Sequence, residues 1–215
     1  MSKPMQSRQD ALESMLRAAP VVAVVVIEKL ADAVPLARAL VAGGITAIEI
    51  TLRTPVALDA IRAVAAEAEG AVAGAGTVLC ADDLRKAEDA GAKFAVSPGM
   101  SPDLLAAVEK STLPFLPGSA SASEAMTLFE RGYRLQKFFP AEPAGGVDYL
   151  RGLGGPLPGI GFCPTGGIRP ANAADYLALP NVICVGGTWL APANLVRAAD
   201  WKAITALARE AARLR

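Results

Sequence analysis

The chain has 215 residues, 53% of them hydrophobic and 20% charged, with 21 basic and 21 acidic side chains and no histidine. That length and apolar content suit one domain with a sizeable core and exclude a disordered chain, and the balanced charge offers no net positive field, so no nucleic acid is expected as a partner. The missing histidine removes imidazole metal sites and the serine–histidine and cysteine–histidine pairs, so proton chemistry has to run on carboxylate, lysine, tyrosine, cysteine or water.

At the N-terminus, Leu12, Met15 and Leu16 recur at helical spacing, which predicts a short amphipathic helix within an extension over residues 1–20. The apolar run from Ala18 to Ile27 is too short to span a bilayer. It also leads straight into Glu28-Lys29 without the small-residue cleavage site of a signal peptide, so it reads as a buried strand, and no membrane partner is expected. Cys80, Cys163 and Cys184 are widely spaced, without a pairing pattern, and suit a reducing cytoplasm.

From Val21 onward, apolar runs alternate with helical patterns. Strands are predicted to begin near Val21, Ala47, Ala71, Phe94, Pro114, Leu135, Ile160 and Val182. Helices are predicted from Leu30 to Val41 with Gly43-Gly44 as the stop, from Thr54-Pro55, and from Ala81 to Ala90 ending at Gly91. Others open at Ser101-Pro102, at Ser121 with Glu124 in capping-box spacing, at Pro170 and at Asp200. Near-continuous apolar strands between helices argue for parallel pairing with both faces covered. Eight such units predict an α/β chain folded as one domain over 1–215, a (β/α)8 TIM barrel with a short N-terminal helix. The competitor is an open doubly wound sheet, which gathers polar residues at one switch point; here polar or glycine-rich endings recur on most strands.

In such a barrel the active site lies at the C-terminal ends of the strands. The second strand carries Glu49, Thr51 and Arg53 at alternate positions, on one face. The third ends in Gly74-Ala75-Gly76-Thr77, the fourth in Ser97-Pro98-Gly99, the seventh in Thr165-Gly166-Gly167 and the eighth in Gly186-Gly187-Thr188. Of seven lysines, Lys137 alone sits within an apolar strand, alternating with Leu135 and Phe139. Burial disfavours the charged form of an amine and makes it a nucleophile that attacks carbonyls to give Schiff bases. Glu49, the only carboxylate within a strand core, is the candidate proton shuttle.

The competing reading makes Lys137 and Glu49 a structural ion pair, or lets Lys137 snorkel outward. Gly166-Gly167 and Gly186-Gly187 occupy the usual phosphate position of such barrels, with Thr165 and Thr188 as added donors. Arg53 and Thr77 could clamp a carboxylate, although Arg53 reads equally well as a solvated surface arginine. Pro98 and Phe139 are candidate pocket walls. A phosphate-binding isomerase or epimerase, and a non-catalytic trimeric scaffold, are the two rival functions.

The strings EITLRT (49–54), GAGTVL (74–79), SPG (97–99), KFFPAE (137–142) with Gly145-Gly146, FCPTGGI (162–168) and VGGTWL (185–190) resemble the bacterial 2-keto-3-deoxy-6-phosphogluconate (KDPG) aldolases, whose members often also act on 4-hydroxy-2-oxoglutarate (KHG). The resemblance runs from about Val21 to the C-terminus. It implies a metal-independent, cofactor-free class I aldolase that takes a keto-acid sugar phosphate, works in the cytoplasm and assembles as a homotrimer. It also implies Lys137 as the Schiff-base lysine, Glu49 as acid/base, Arg53 and Thr77 on the pyruvate carboxylate, and Thr165, Gly166, Gly167 and Thr188 on the distal phosphate and hydroxyls. Three departures stand out: PGSASASE (117–124), where relatives commonly carry a threonine; Gln136, where they usually carry a bulkier apolar residue; and Pro143-Ala144, which varies the loop after KFFPAE.

Overall fold

Strands and helices alternate through the computed structural model, which describes residues 3–214. The strands are β1 (Val21–Val25), β2 (Ala47–Thr51), β3 (Val72–Gly76), β4 (Phe94–Val96), β5 (Phe115–Leu116), β6 (Gly118–Ser119), β7 (Leu135–Phe138), β8 (Gly161–Pro164) and β9 (Val185–Gly187). The helices are α1 (Lys3–Arg17), α2 (Leu30–Ala42), α3 (Ala57–Glu67), α4 (Ala81–Asp89), α5 (Pro102–Lys110), α6 (Ala122–Glu130), α7 (Gly146–Gly154), α8 (Pro170–Leu177), α9 (Ala193–Arg197) and α10 (Trp201–Ala211). Met1, Ser2 and Arg215, at the edges of the predicted extension and domain, lie outside the described residues. None of the described helices is long and apolar enough to cross a membrane.

Every strand pairing is parallel. The result is an α/β fold with a curled six-stranded sheet, ordered β5-β4-β3-β2-β1-β9, and a small sheet, β6-β7-β8. The two sheets approach at two places. Pro117 alone separates β5 from β6, and isolated parallel bridges join Phe162 to Val182 and Thr165 to Gly186.

Several boundaries differ from the sequence expectation for local reasons. The fifth predicted strand is divided at Pro117, which has no N–H for the ladder, although its carbonyl still accepts from Lys137 N at 2.8 Å. The last strand begins at Val185 rather than Val182, which contributes only the bridge to Phe162. Helix α3 starts at Ala57, not at Thr54-Pro55, because the Thr54 hydroxyl donates to the Ile27 carbonyl at 2.7 Å and holds that residue in the loop. Helix α1 is 15 residues long, longer than the short helix expected.

Caps account for several starts. Ser101 Oγ accepts from Leu104 N, Asp200 from Ala203 N, and Ser121 forms the full capping box with Glu124. The serine at 121, part of the departure in 117–124, therefore keeps a capping hydroxyl.

Strand alternation divides the interior into two layers. Ile48, Ile50, Ala73 and Ala75 pack outward against helices with Leu36, Leu40, Ile61 and Val64. The concave side collects Val22, Ala47, Phe94, Val96, Leu116, Leu135, Cys163 and Cys184, and α1 adds Leu12 and Leu16 to this cluster. Each of these two leucines is almost fully buried, a contribution of about 1.5–3 kcal/mol apiece. Helix α1 thus floors the N-terminal end of the concave cluster and leaves the C-terminal end for chemistry.

Candidate active site

On β7, Leu135 and Lys137 face the concave side, while Gln136 and Phe138 face the helices. The outward pair is firmly held. Gln136 Nε2 donates to the carbonyls of Ala125 and Tyr133 at 2.9 and 3.0 Å, and Gln136 Oε1 accepts from Ser119 Oγ at 2.9 Å. Phe138 stacks on Tyr149 with ring centroids 5.6 Å apart and meets Phe162 edge-on at 6.3 Å. A strand fixed from behind gives the inward lysine a defined direction. Where the resemblance implied an apolar residue, Gln136 is polar, and its hydrogen bonds tie β7 to β6 and α6.

Lys137 Nζ lies 3.0 Å from Glu49 Oε1 and 3.4 Å from Oε2, with the two residues only 4% and 3% exposed. The Phe139 ring sits 5.4 Å from Nζ, within cation–π range. In register, Glu49 lies between Val24 on β1 and Gly74 on β3. Its carboxylate rests against Gly76: a Cβ added there would stand 2.3 Å from Oε1 and 2.5 Å from Cγ. The glycine is therefore the seat of the acid group. A buried charge without a partner is costly, and here each of the two answers the other.

Arg53 and Thr77 follow the ends of β2 and β3. Arg53 is exposed, and its Nε donates to Thr77 Oγ1 at 3.0 Å, committing one of the five guanidinium donors. Thr77 has φ 61°, an uncommon place for a β-branched residue. The strained backbone carries its hydroxyl to the arginine and follows directly on the Gly76 seat. Thr51 shares a face with Glu49 but acts elsewhere, since its hydroxyl donates to the Val25 carbonyl at 3.1 Å and latches β2 to β1.

After β8, Thr165 is buried, and Gly166 and Gly167 adopt φ of 99° and 85°. Only glycine takes such values without strain. Gly166 borders Pro140 and Phe139, which brings this loop beside the lysine, and the loop leads into the N-terminus of α8. The second glycine pair behaves differently. Gly186 and Gly187 lie inside β9, and both lack room for a Cβ, which would stand 2.2 Å from Thr165 Oγ1 and 2.2 Å from the Trp189 ring respectively. They serve close packing of those side chains. Thr188 is exposed and lines a cavity of about 180 Å³ together with Val24, Lys29 and Arg197. Pro98 is half-buried, with its carbonyl against Gly118.

Three residues near this site escape sequence reasoning. Gly76 falls within GAGTVL with no role of its own; glycines at alternate positions on the strand beside Glu49 are the available signal. Glu142 falls at the end of KFFPAE and Tyr176 in the helix that opens at Pro170, neither with a role of its own, yet the Tyr176 hydroxyl donates to Glu142 Oε1. No local pattern links positions so far apart. Among the described residues, no three His, Cys, Asp or Glu side chains gather in a group that could hold a metal ion.

A parallel α/β sheet carrying a buried amine and carboxylate in contact, flanked by an arginine–threonine pair and a glycine loop at a helix start, defines an enzyme site of the amine-nucleophile class. Comparison narrows that class. A family model described as KDPG and KHG aldolase matches residues 12–207, and the chain belongs to that family. It is 51% identical over 207 residues to the KHG/KDPG aldolase of Escherichia coli strain K12, covering 96% of this chain and 97% of that one. The KDPG aldolase of Legionella pneumophila, solved with pyruvate captured at low pH as a covalent carbinolamine intermediate, superposes with a TM-score of 0.91 at 45% identity, covering 93% and 97% of the two chains. The KDPG aldolase of Zymomonas mobilis ZM4, solved with 3-phosphoglycerate, gives 0.92 at 46% identity, with 97% of each chain covered.

Proposed function

We propose that this chain is a class I, Schiff-base aldolase that cleaves KDPG to pyruvate and glyceraldehyde 3-phosphate, and KHG to pyruvate and glyoxylate. The observation that carries the reading is the buried contact of Lys137 Nζ with Glu49 Oε1 at 3.0 Å. The family relationship and the covalent pyruvate adduct of the Legionella relative support it.

In this reading, Lys137 loses a proton and its amine adds to the C2 ketone, giving a carbinolamine. Loss of water forms the iminium. Glu49 then takes the proton of the C4 hydroxyl, the C3–C4 bond breaks, and its electron pair moves into the iminium, so the aldehyde departs and an enamine remains. A proton returned to C3 and the addition of water release pyruvate and free the amine. Arg53 and Thr77 hold the carboxylate end, with the exposed guanidinium presenting its remaining donors. Thr165, Gly166, Gly167 and Thr188 receive the distal phosphate and hydroxyls, with Phe139 and Pro98 as walls and Gly186 and Gly187 keeping Thr165 and Trp189 in place.

The same reading joins the two sheets into one closed (β/α)8 barrel domain. The isolated bridges between the sheets and the single-residue gap between β5 and β6 support this closure.

Borohydride added with pyruvate tests the chemistry: mass spectrometry of the digested protein is expected to find a reduced pyruvyl group on Lys137. A protein that releases pyruvate from KDPG while Lys137 stays unlabelled would sink the assignment.

A further inference from the structure

One side chain ties together two loops at the C-terminal end of the strands. Glu142 N donates to the Gly166 carbonyl at 3.0 Å, and its neighbour Ala141 N donates to the Thr165 carbonyl at 2.8 Å. The methylenes of Glu142 cover Gly167, where an added Cβ would stand 2.5 Å from Cγ. Its carboxylate accepts from Tyr176 Oη on α8, and Tyr176 is fully buried. From the other side, Asn172 Nδ2 donates to the Gly167 carbonyl at 3.3 Å while Asn172 Oδ1 accepts from Arg169 N at 2.7 Å.

Two consecutive glycines with positive φ form a segment with little conformational preference of its own. A loop of this kind keeps one shape only if its surroundings impose it. The charge of Glu142 argues in the same direction. A carboxylate beside an anion-binding loop repels the anion, so this residue does not serve by direct contact with phosphate. Its carboxylate is instead engaged by Tyr176, whose hydroxyl is pushed well above the usual tyrosine range by burial first and by the Glu142 hydrogen bond second, and so stays a donor.

We propose that Glu142 and Tyr176 are positioning residues, which together brace Gly166–Gly167 in the shape that receives the distal phosphate of the substrate. The identity of that ligand rests on the aldolase reading; the brace itself rests on the contacts above.

The test uses 3-phosphoglycerate as the probe of the anion end and pyruvate–borohydride labelling as the probe of the lysine end. Tyr176→Phe and Glu142→Ala are expected to weaken 3-phosphoglycerate binding, measured by titration calorimetry, about tenfold. Glu142→Gln, whose amide oxygen still accepts from Tyr176, is expected to bind within about twofold of the unmodified protein, since the acceptor is retained. All three variants are expected to label with pyruvate at the unmodified rate, which also reports that they fold.

Undiminished binding in Tyr176→Phe overturns the brace. So does a parallel loss of binding and labelling, which marks a general structural defect, and so does an unmodified protein that does not bind 3-phosphoglycerate. An unmodified protein that binds the probe but never labels with pyruvate overturns the aldolase reading instead, and the binding series still decides the brace.

Discussion

Lys137 was legible at the residue scale because strand parity is a local property: a lysine between Leu135 and Phe139 has no polar face to join. Its neighbours Glu49 and Phe139 were named as well, and both stand beside Nζ; what aims the carboxylate was not legible. The acid group is aimed by the absence of a side chain at Gly76, so Gly76→Ala is expected to push Glu49 away from Nζ and lower kcat about a hundredfold. The melting temperature separates this from unfolding; a Gly76→Ala enzyme with unchanged kcat would show that the seat is immaterial. Gln136 reads in the sequence as a defect in an apolar position. It proves to be a hydrogen-bonded hub whose partner, Ser119, stands in PGSASASE, another segment read as a departure. Gln136→Leu leaves the buried Ser119 hydroxyl without that acceptor, and a loss of about 1–3 kcal/mol is expected in urea unfolding. An equally stable Leu variant would mean that the hub contributes nothing.

Element boundaries were legible where a side chain itself closes the hydrogen bond, as at Ser101, Ser121 and Asp200, and illegible where a distant partner decides. Thr54 reads as a helix start until Ile27 claims its hydroxyl. Helix α7 escapes notice because Gly146, Gly152 and Gly154 suppress its helical signature. Helix α1 is anchored to the loop before β7 by Glu13 and Asp10, which pair with Arg134 at 2.7 and 2.8 Å. The Arg134 hydrogen bond, with that of Arg17, holds the Glu13 carboxyl below its ordinary value of 4.5. A carboxyl with a depressed folded value adds stability above its unfolded value and loses it as pH falls through the folded one. The stability difference between the unmodified protein and Glu13→Gln is therefore expected to shrink on acidification from about pH 7 to pH 3, followed by urea unfolding at each pH. A difference that stays constant over that range contradicts the anchor.

For the whole molecule, the strand–helix alternation was legible because helical and strand periodicities are written locally, and the parallel pairing followed from strands apolar on both faces. The seams were not, since a break at Pro117 and bridges at Val182 and Gly186 depend on backbone positions that no side-chain pattern records. The homotrimer implied by family resemblance is a matter for sedimentation: three chains of 22.0 kDa give a particle of about 66 kDa, and a 22.0 kDa species at working concentration would refute it. Activity is expected to persist in excess chelator.

The floor laid by Leu12 and Leu16 has one more effect. An apolar base keeps water from beneath the strand that carries Lys137, since Leu135 on that strand packs in the same cluster as the two leucines. On the aldolase reading the order of departure follows from the bonds alone: the aldehyde is free when C3–C4 breaks, and pyruvate stays tethered to Lys137 until water releases it. What α1 adds is a dry base beneath the strand that holds the tether.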